Sequence, residues 1–349
     1  MSQVVEHLAE LTGFRDRDVL DVSLVGALKD LLRPESVAIF RCIGEAGERR
    51  WITRARLGKG DLVATADALW QDPSELPLLE SQPARHACLQ RQEPMVLGGD
   101  PAISLFPLGS DGDVVGVLEV ATTLPMDADD MRLVSSILRI YRNFQSLLDY
   151  SERDTLTGLL NRKTFDESFL RIAASGPAVA AAEAKGESTS PAGQRRHGQD
   201  SSCWLGVIDI DHFKRVNDNY GHLIGDEVLL LLSRLMRSSF RYQDRLYRFG
   251  GEEFVVLMRS ASAGAAAMAF ERMRSNVEKY AFPRVGHITV SVGFTVVRPT
   301  DSPSGAFERA DQAVYHAKQH GRNQVADHAA LIARGELVED QHDGDVELF

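Results

Sequence analysis

Apolar residues in the first 125 positions alternate between helical and extended spacing. From Asp18 to Leu32 they recur every three or four residues, which predicts an amphipathic helix that ends before Pro34. Short apolar runs typical of strands follow at 37–42, 51–56, 102–108 and 114–122. Residues 58–92 are less regular and predict a mixture of helix and loop. We therefore expect residues 1–125 to form a first domain of mixed helix and sheet.

Residues 126–153 carry a sharper helical pattern. One apolar stripe alternates steps of four and three residues, the spacing of a coiled-coil seam: Leu133, Ile137, Ile140, Phe144 and Leu147. A second stripe lies beside it: Val134, Leu138, Tyr141 and Leu148. The pattern is compatible with one helix that closes its own domain or with a parallel coiled coil, and we favour the coiled coil.

Strands and helices alternate again over residues 154–330. A turn rich in Asp, Thr and Gly follows the long helix, and a new helix is expected near Lys163. Residues 174–202 have almost no large apolar side chains, so we expect a flexible insertion without a function of its own. The later pattern predicts strands at 204–211, 246–249, 254–258 and 288–296 and helices around 228–235, 263–280 and 304–320. The fold class expected here is α/β (α+β), a sheet covered by helices, with residues 331–349 as a tail.

The composition of the chain indicates which broad class of protein it belongs to. A chain of 349 residues with 44% hydrophobic and 26% charged residues is typical of a soluble protein of two domains. No apolar run reaches the roughly 20 residues that span a bilayer, and the first residues lack a secretion signal, so we expect a cytoplasmic protein without membrane contact. Three widely spaced cysteines predict reduced thiols. The net charge of −11 argues against general nucleic-acid binding, although not against a nucleotide substrate.

Candidate chemistry begins at Gly250-Gly251-Glu252-Glu253, which separates two of the predicted strands. Two glycines between strands predict a tight hairpin, and carboxylates at such a turn can hold a divalent cation. The simpler interpretation is a hairpin with a charged tip. Asp209 adds a third carboxylate at the end of an apolar strand, where packing gives no reason for one.

Two further pairs of residues fit a nucleotide. Asn217 and Asp226 together offer an acceptor and an amide that could bind a guanine edge, whose N1–H and N2–H₂ groups are donors. Lys318 and Arg322, one helical turn apart, suit a polyphosphate. Taken alone, each signal is better explained by a solvated charge than by chemistry.

The joint pattern resembles the GGDEF domain of diguanylate cyclases, here in a Gly-Gly-Glu-Glu-Phe form. The resemblance covers about 154–326 and rests on five motifs in order: Asp154-x-Leu-Thr-Gly-Leu-x-Asn-Arg162, Asp209-Ile-Asp-His-Phe-Lys-x-x-Asn217-Asp-x-x-Gly-His-x-x-Gly-Asp226, Arg248-x-Gly-Gly-Glu-Glu-Phe254, Ser291-Val-Gly-Phe294 and Ala310-Asp-x-Ala-x-Tyr-x-Ala-Lys318-x-x-Gly-Arg-Asn323. The order and spacing of five motifs make a chance match negligible. The resemblance implies a central, mostly antiparallel sheet flanked by helices. It also implies condensation of two GTP molecules into cyclic di-GMP with release of two pyrophosphates.

The resemblance also implies roles for individual residues. Asp209, Glu252 and the carbonyl of Ile210 would hold two Mg²⁺ ions, for which Mn²⁺ can substitute, and Glu252 would also accept the proton. Glu253 would support the metal site, and Gly250 and Gly251 would leave room for the nucleotide. The expected substrate contacts are Asn217 and Asp226 on guanine, with Lys214, His212, Phe213, Lys318 and Arg322 on the remainder of GTP. Asp226 leads us to expect selectivity for GTP.

A second site is implied at Arg241 and Asp244, nine and six residues before Gly250. This is the RxxD spacing of the product-inhibition site of the family, where arginine binds cyclic di-GMP. Arg272 matches a secondary inhibitory arginine, although Arg274 lies nearby. One GGDEF domain holds one GTP, so the reaction requires two domains, and the helix at 126–153 would bring them together as a homodimer.

The order of elements in residues 1–125 resembles GAF or PAS sensory domains, and GAF more closely. Such domains often bind a small ligand, which the sequence does not identify. His7, His86 and Cys88 are conceivable cofactor ligands, but isolated His and Cys residues are more often ordinary ones. The leading hypothesis is therefore a product-inhibited cyclase under sensory control. The alternative is a degenerate GGDEF domain that only binds cyclic di-GMP or GTP.

Overall fold

The structure is a computed structural model that describes residues 17–44, 49–67, 75–110, 113–170, 202–260 and 262–338. The chain divides into two units, Met1–Ser151 and Glu152–Phe349. His7, almost all of the predicted insertion at 174–202 and most of the predicted tail lie outside the described residues.

The first unit contains one antiparallel sheet. Its strands are β1 (Ser36–Ile43), β2 (Arg50–Gly58), β3 (Met95–Leu97), β4 (Ala102–Ser110) and β5 (Asp113–Thr122), in the order β2-β1-β5-β4-β3. Its helices are α1 (Arg17–Leu32), α2 (Pro83–Arg91) and α3 (Ala128–Glu152), of which the last residue already belongs to the second unit. The predicted strands are present with slightly wider bounds. The three-residue β3 and helix α2 were not predicted as separate elements, because neither is long enough to show a clear periodicity.

Alternation along the strands gives the first sheet two different faces. One face packs its apolar residues, including Val37 and Ile39, with residues of α1 and α3. The other face buries Phe40 and Trp51 with Cys88 of α2. On that second face the Arg85 guanidinium lies 3.4 Å from the centre of the Phe40 ring and pairs with Glu119 at 2.7 Å.

A polar cluster interrupts the apolar layer between α1 and α3. Asp21 is 3% exposed and Tyr141 is 2% exposed. The Tyr141 hydroxyl donates to Asp21, while Arg41 donates to Tyr141 at 2.7 Å and to Asp21 at 3.2 Å. Gln145 donates to the same hydroxyl at 2.9 Å. We call Asp21, Arg41, Tyr141 and Gln145 the α1–α3 polar cluster.

Helix α3 covers the positions of the predicted signalling helix. Its buried positions are Val134, Ile137, Tyr141, Gln145 and Leu148, which face the core of the first unit. Ile137, predicted for the coiled-coil seam, is therefore buried within its own unit. Leu147 of the same stripe is 65% exposed. Pairing of α3 with a second copy stays a prediction.

The second unit is built on a mostly antiparallel sheet of six strands. They are β6 (Leu160–Asn161), β7 (Ser202–Ile210), β8 (Arg245–Gly250), β9 (Glu253–Ser260), β10 (Val290–Val296) and β11 (Val325–Asp327), in the order β11-β10-β7-β9-β8-β6. Among the described residues of this unit, the pairs β10–β11 and β6–β8 are parallel and the other strand pairs are antiparallel. Its helices are α4 (162–170), α5 (Phe213–Tyr220), α6 (His222–Ser239), α7 (Ala263–Lys279), α8 (Pro303–Gln319) and α9 (His328–Ala333). The prediction of a mixed fold with a mostly antiparallel sheet is confirmed.

Two glycines let helices approach the two faces of this sheet closely. A Cβ at Gly206 would lie 2.2 Å from the ring of Phe270 on α7, and a Cβ at Gly293 would lie 2.2 Å from the carbonyl oxygen of Ala310 on α8. The α7 face shares a large apolar core with α6, whereas α8 presents mainly alanines to the sheet. Across the part of the chain that the structure describes, no helix combines the length and apolar character needed to cross a bilayer.

Candidate active site at the ββ hairpin

The predicted hairpin joins β8 to β9. Gly250 pairs with Glu253, so Gly251 and Glu252 form the two-residue connection. Gly250 has φ 152° and Gly251 has φ 49°, and residues other than glycine rarely adopt these backbone conformations. Apart from the glycine itself and its chain neighbours, no atom of the described residues lies within 4 Å of a Cβ built at either glycine. The glycines thus leave the space in front of the turn open, and their role in admitting a nucleotide stays a prediction.

Arg248 fixes the hairpin tip, a role that the sequence reasoning missed. Its guanidinium donates to the carbonyl oxygen of Gly251 at 3.0 Å and to Asp154 at 3.0 Å. Thr157 donates to Asp154 through its N–H at 2.8 Å and its hydroxyl at 2.7 Å. Burial opposes ionisation of Asp154, but these donors outweigh burial and lower its pKa. The first and third sequence motifs therefore meet in one ion pair.

Four carboxylates share the edge of the sheet beside the hairpin. Asp209 ends β7, is 6% exposed and lies opposite Glu253 on β9. Burial raises the pKa of Asp209, which Lys318 only partly offsets. Burial and the charge of Asp209 raise the pKa of both Glu252 and Glu253, and burial raises that of Asp311. Negative charge is therefore concentrated here.

Lys318 brings one cation to these carboxylates. Helix α8 packs on β10 through small residues, Ala306, Ala310, Ala313 and Ala317, and through the missing side chain of Gly293. That close approach carries the end of α8 to the end of β7, where Lys318 Nζ lies 2.7 Å from Asp209 Oδ1. A Cβ at position 293 would meet backbone atoms of α8, which cannot move aside cheaply. The sequence predicted Lys318 for phosphate but not its contact with Asp209.

The proposed guanine-binding pair lies on consecutive helices. Asn217 is on α5, and its Oδ1 would be 2.0 Å from a Cβ at Gly225 of α6. Asp226 follows that glycine and is exposed. A glycine at 225 is therefore required for the side chain of Asn217 to lie against α6. Asn217 itself is half-buried.

The substrate contacts predicted at the start of α5 differ in the exposure of their side chains. His212 precedes the helix with φ 59° and is exposed, as is Lys214. Phe213 is 4% exposed and belongs to the apolar core, so only its backbone can face a ligand. Arg322 is exposed in a turn after α8, with φ 61°.

The residues of the predicted inhibitory site lie together at the other end of β8. The Arg241 N–H donates to Asp244 Oδ2 at 2.8 Å, and Arg272 donates to the carbonyl oxygen of Ser239 at 2.5 Å. Burial raises the pKa of Asp244 to about 6, although the charges of Arg241 and Arg272 act in the opposite direction. Arg274 is separate from this group, because it pairs with Glu271 and Glu278.

The oxygen donors at the hairpin suit the implied divalent cations in their chemistry. Asp209, Glu252 and the carbonyl of Ile210 offer the hard oxygen ligands that Mg²⁺ prefers. Burial and, to a smaller extent, neighbouring carboxylates raise the pKa of Asp209 and of Glu252, and a bound cation would favour the charged form of both. In the described ranges, however, no three His, Cys, Asp or Glu side chains lie close enough to hold a metal ion. The chemistry of the donors fits Mg²⁺, and its binding stays a prediction.

Two candidate ligands in the first unit have ordinary partners. His86 lies 3.1 Å from the side-chain nitrogen of Gln90, and the buried Cys88 donates to the carbonyl oxygen of Glu93 at 3.5 Å. Burial raises the pKa of Cys88 to about 11. Cys42, Cys88 and Cys203 are all free thiols.

Comparisons with known proteins address the C-terminal unit. Residues 186–324 match the family "Diguanylate cyclase, GGDEF domain". Diguanylate cyclase DgcM of Escherichia coli (strain K12) is 34% identical over 233 residues, 65% of this chain and 51% of DgcM. Diguanylate cyclase DgcP of Pseudomonas aeruginosa is 36% identical over 202 residues, 56% of this chain and 27% of DgcP. The chain thus spans about half, or less, of the length of these curated relatives.

One solved structure is also similar to part of this chain. The coiled coil and GGDEF domain of DgcB from Caulobacter crescentus, in complex with c-di-GMP, is 30% identical and covers 58% of this chain and 100% of that chain, with a TM-score of 0.46. The family match and the sequence relatives confirm the resemblance seen in the five motifs. The C-terminal unit of this chain therefore carries a GGDEF domain of the diguanylate cyclase family.

Proposed function

We propose that this chain is a diguanylate cyclase, which condenses two GTP molecules into cyclic di-GMP and two pyrophosphates. The observation that carries the proposal is the meeting of Asp209, Glu252 and Lys318 beside an open glycine turn. Carboxylates and a lysine in one place suit a reaction in which a proton leaves a hydroxyl and charge develops on phosphate.

Substrate binding is assigned to residues around this edge. Asn217 and the exposed Asp226 bind the guanine base, and the Asp226 carboxylate accepts from its N–H groups. Lys214, Lys318 and Arg322 bind the phosphates, together with the backbone at His212 and Phe213. Gly250 and Gly251 admit the nucleotide to the face of the hairpin.

The chemical step needs a base and a site for negative charge. Glu252 accepts the proton of the 3′-hydroxyl of one GTP. The hydroxyl oxygen attacks the α-phosphate of the second GTP, and pyrophosphate leaves. The raised pKa of Glu252 favours this role, because a carboxylate is a better base when its proton is held more tightly. Asp209, Glu252 and the Ile210 carbonyl would hold Mg²⁺, which supplies charge neutralisation at the phosphates. Glu253, opposite Asp209, supports the same group of carboxylates.

Product inhibition is assigned to Arg241, Asp244 and Arg272. An arginine can form two parallel hydrogen bonds to guanine or phosphate, and these residues share one corner of the unit. In an Arg241→Ala variant, turnover should continue at product concentrations that stop the wild-type enzyme. Unchanged inhibition would show that the site has been wrongly assigned.

The homodimer is assigned to α3. Two GTP molecules must meet, and orienting two bound substrates can supply several kcal/mol of the rate. Leu147 is 65% exposed on the seam stripe, although α3 packs its other side on its own unit. In analytical ultracentrifugation, Leu147→Glu should shift the protein from dimer to monomer. The matched Arg142→Glu variant, on an exposed position outside the stripe, should remain dimeric.

Sensory control is assigned to the first unit. Its antiparallel sheet, order β2-β1-β5-β4-β3, with helices on both faces supports a GAF-like domain. Its input stays unassigned. Mass spectrometry of ligands retained by the purified full-length chain would identify a tightly bound one.

The proposed activity is tested by incubating the purified chain with GTP and Mg²⁺, or with Mn²⁺, and identifying the products. Cyclic di-GMP and pyrophosphate in a ratio of one to two are expected. Chelation of the metal should stop the reaction. The receptor alternative predicts bound GTP or cyclic di-GMP without turnover, and that result would overturn the enzyme assignment.

A further inference from the structure

Three successive residues after α8 have positive φ. They are Gly321 at 110°, Arg322 at 61° and Asn323 at 46°. For residues other than glycine this conformation costs about 1–2 kcal/mol each, so it persists only where surrounding contacts enforce it. The turn contains Arg322, which we have assigned to phosphate binding. The contacts that enforce the turn therefore also determine where Arg322 lies.

The first contact comes from Asp211, one residue beyond the end of β7. Its side chain is buried, at 3% exposure. Its Oδ2 accepts from the Asn323 N–H at 3.0 Å and from the Thr289 hydroxyl at 2.6 Å. Its Oδ1 accepts from the Ser291 hydroxyl at 2.7 Å. Both oxygens are thus occupied by uncharged donors, which belong to β10, to the segment just before β10 and to the turn after α8.

The second contact holds the side chain of Asn323. Arg274 of α7 donates to Asn323 Oδ1 at 2.6 Å, and Asn323 Nδ2 donates to Glu278 at 2.7 Å. Arg274 also pairs with Glu271 and Glu278, so its guanidinium is fixed on the helix. Backbone and side chain of Asn323 are therefore held from two directions.

These contacts connect the turn to the cluster at Asp209. The Arg322 N–H donates to the carbonyl oxygen of Ala317 at 2.9 Å, next to Lys318. Asp211 follows Asp209 by two residues and holds the turn at the same edge of the sheet. A change in the turn would move Arg322 relative to Lys318 and Asp209.

We propose that Asp211 is a positioning residue, which places the Arg322 guanidinium for the phosphates of GTP by holding the Asn323 N–H. This inference rests on the proposed function, because the phosphate is that of the substrate. The saturation of both Asp211 oxygens separates its role from that of Asp209, whose carboxylate faces a cation. Asn323 acts in the same way through its side chain.

A double-mutant cycle on GTP affinity tests whether Asp211 acts through Arg322. Asp211→Asn and Arg322→Ala are each expected to weaken GTP binding about tenfold, the usual size for one charged hydrogen bond. If Asp211 acts through Arg322, the double variant should bind GTP as the Arg322→Ala variant does. If the two effects multiply, so that the double variant binds GTP about a hundredfold more weakly than the wild type, the proposal is overturned.

Asn323→Ala is the second variant, in case Asp211→Asn folds poorly. It removes the contacts to Arg274 and Glu278 and leaves the buried carboxylate unchanged. Its effect on GTP affinity should also vanish in an Arg322→Ala background. Asp166→Asn, at an exposed position on α4, is the matched control and should leave affinity unchanged.

Hydrogen exchange separates this inference from the proposed function. In Asp211→Asn the amides of residues 321–324 should exchange at least tenfold faster, whereas Asp166→Asn should not change them. Unchanged exchange would overturn the role of Asp211. A wild-type chain that binds GTP but forms no cyclic di-GMP would overturn only the enzyme assignment, since affinity and exchange are both measured without turnover.

Discussion

The two units each contain a group of buried or half-buried charges, and the groups are composed differently. In the α1–α3 polar cluster, Asp21 faces donors from Arg41 and Tyr141, with Arg54 3.9 Å away. At the hairpin of the second unit, the charge of Lys318 acts on Asp209 and three further carboxylates, and that of Arg162 acts on Glu253. Donors and acceptors balance in the first group, and acceptors are in excess in the second.

This difference separates structural charge from functional charge. A buried polar group lowers stability unless it finds partners, so a balanced group can be explained by folding alone. An unbalanced group has no such explanation, and several carboxylates with raised pKa values in one place are typical of sites that bind a ligand or perform catalysis. We therefore expect substitutions in the two groups to have opposite consequences for stability and activity.

The largest expected effect is on catalysis, in Glu252→Gln. Loss of the proton acceptor should lower the rate of cyclic di-GMP formation about a thousandfold, within the usual range for a general base. Stability should not fall, because the substitution removes one of several mutually repelling carboxylates. Product assays and chemical unfolding of the same preparation would measure both. A large loss of stability would contradict the comparison, and near-normal turnover would contradict the role of Glu252.

The next effect is on stability, in Asp21→Asn. Removing one partner of a buried ion pair leaves the other uncompensated, so the first unit should lose about 3 kcal/mol of its free energy of unfolding. Unfolding should be followed by fluorescence in a Trp204→Phe background, where the remaining tryptophans, Trp51 and Trp70, lie in residues 1–151. Asp130→Asn, at a partly exposed position near the start of α3, is the matched control. A loss below 1 kcal/mol would show that the cluster does not depend on its charge.

The hairpin and the presence of carboxylates at its turn could be predicted from the sequence, because these residues form one short, continuous motif. Contacts between distant parts of the chain were not predictable. Asp154 and Arg248 are 94 positions apart, and Asp211 and Asn323 are 112 apart, so no local pattern joins them. Asp211 lies only two positions after Asp209 in the sequence, and the three donors around Asp211 are what distinguish the two carboxylates. Of the two apolar stripes on α3, the stripe that contains Tyr141 packs most fully on the first unit. The sequence could not predict this, because it depends on the position of the sheet.

A smaller effect concerns the pH dependence of stability through Asp244. Its folded pKa of about 6 lies above its ordinary value of 3.8, because burial favours the protonated form. This contribution to stability is therefore fully present below pH 3.8 and is lost as the pH rises through about 6. A shift of about two units corresponds to at most about 3 kcal/mol, and we expect about 2 kcal/mol. Asp244→Asn should remove this loss, and equal pH profiles for variant and wild type would contradict it.

The smallest effect is expected for Tyr141→Phe, which keeps the ring and removes one hydroxyl. Tyr141 donates to Asp21 and accepts from Arg41 and Gln145, so the change leaves polar groups unpaired in a buried place. A loss of about 1–2 kcal/mol is expected, measured in the same Trp204→Phe background. Tyr150→Phe, on the exposed side of α3, should change nothing. Because Asp21 and Tyr141 share a hydrogen bond, their effects should not add, and full additivity would mean that the cluster is not a single network.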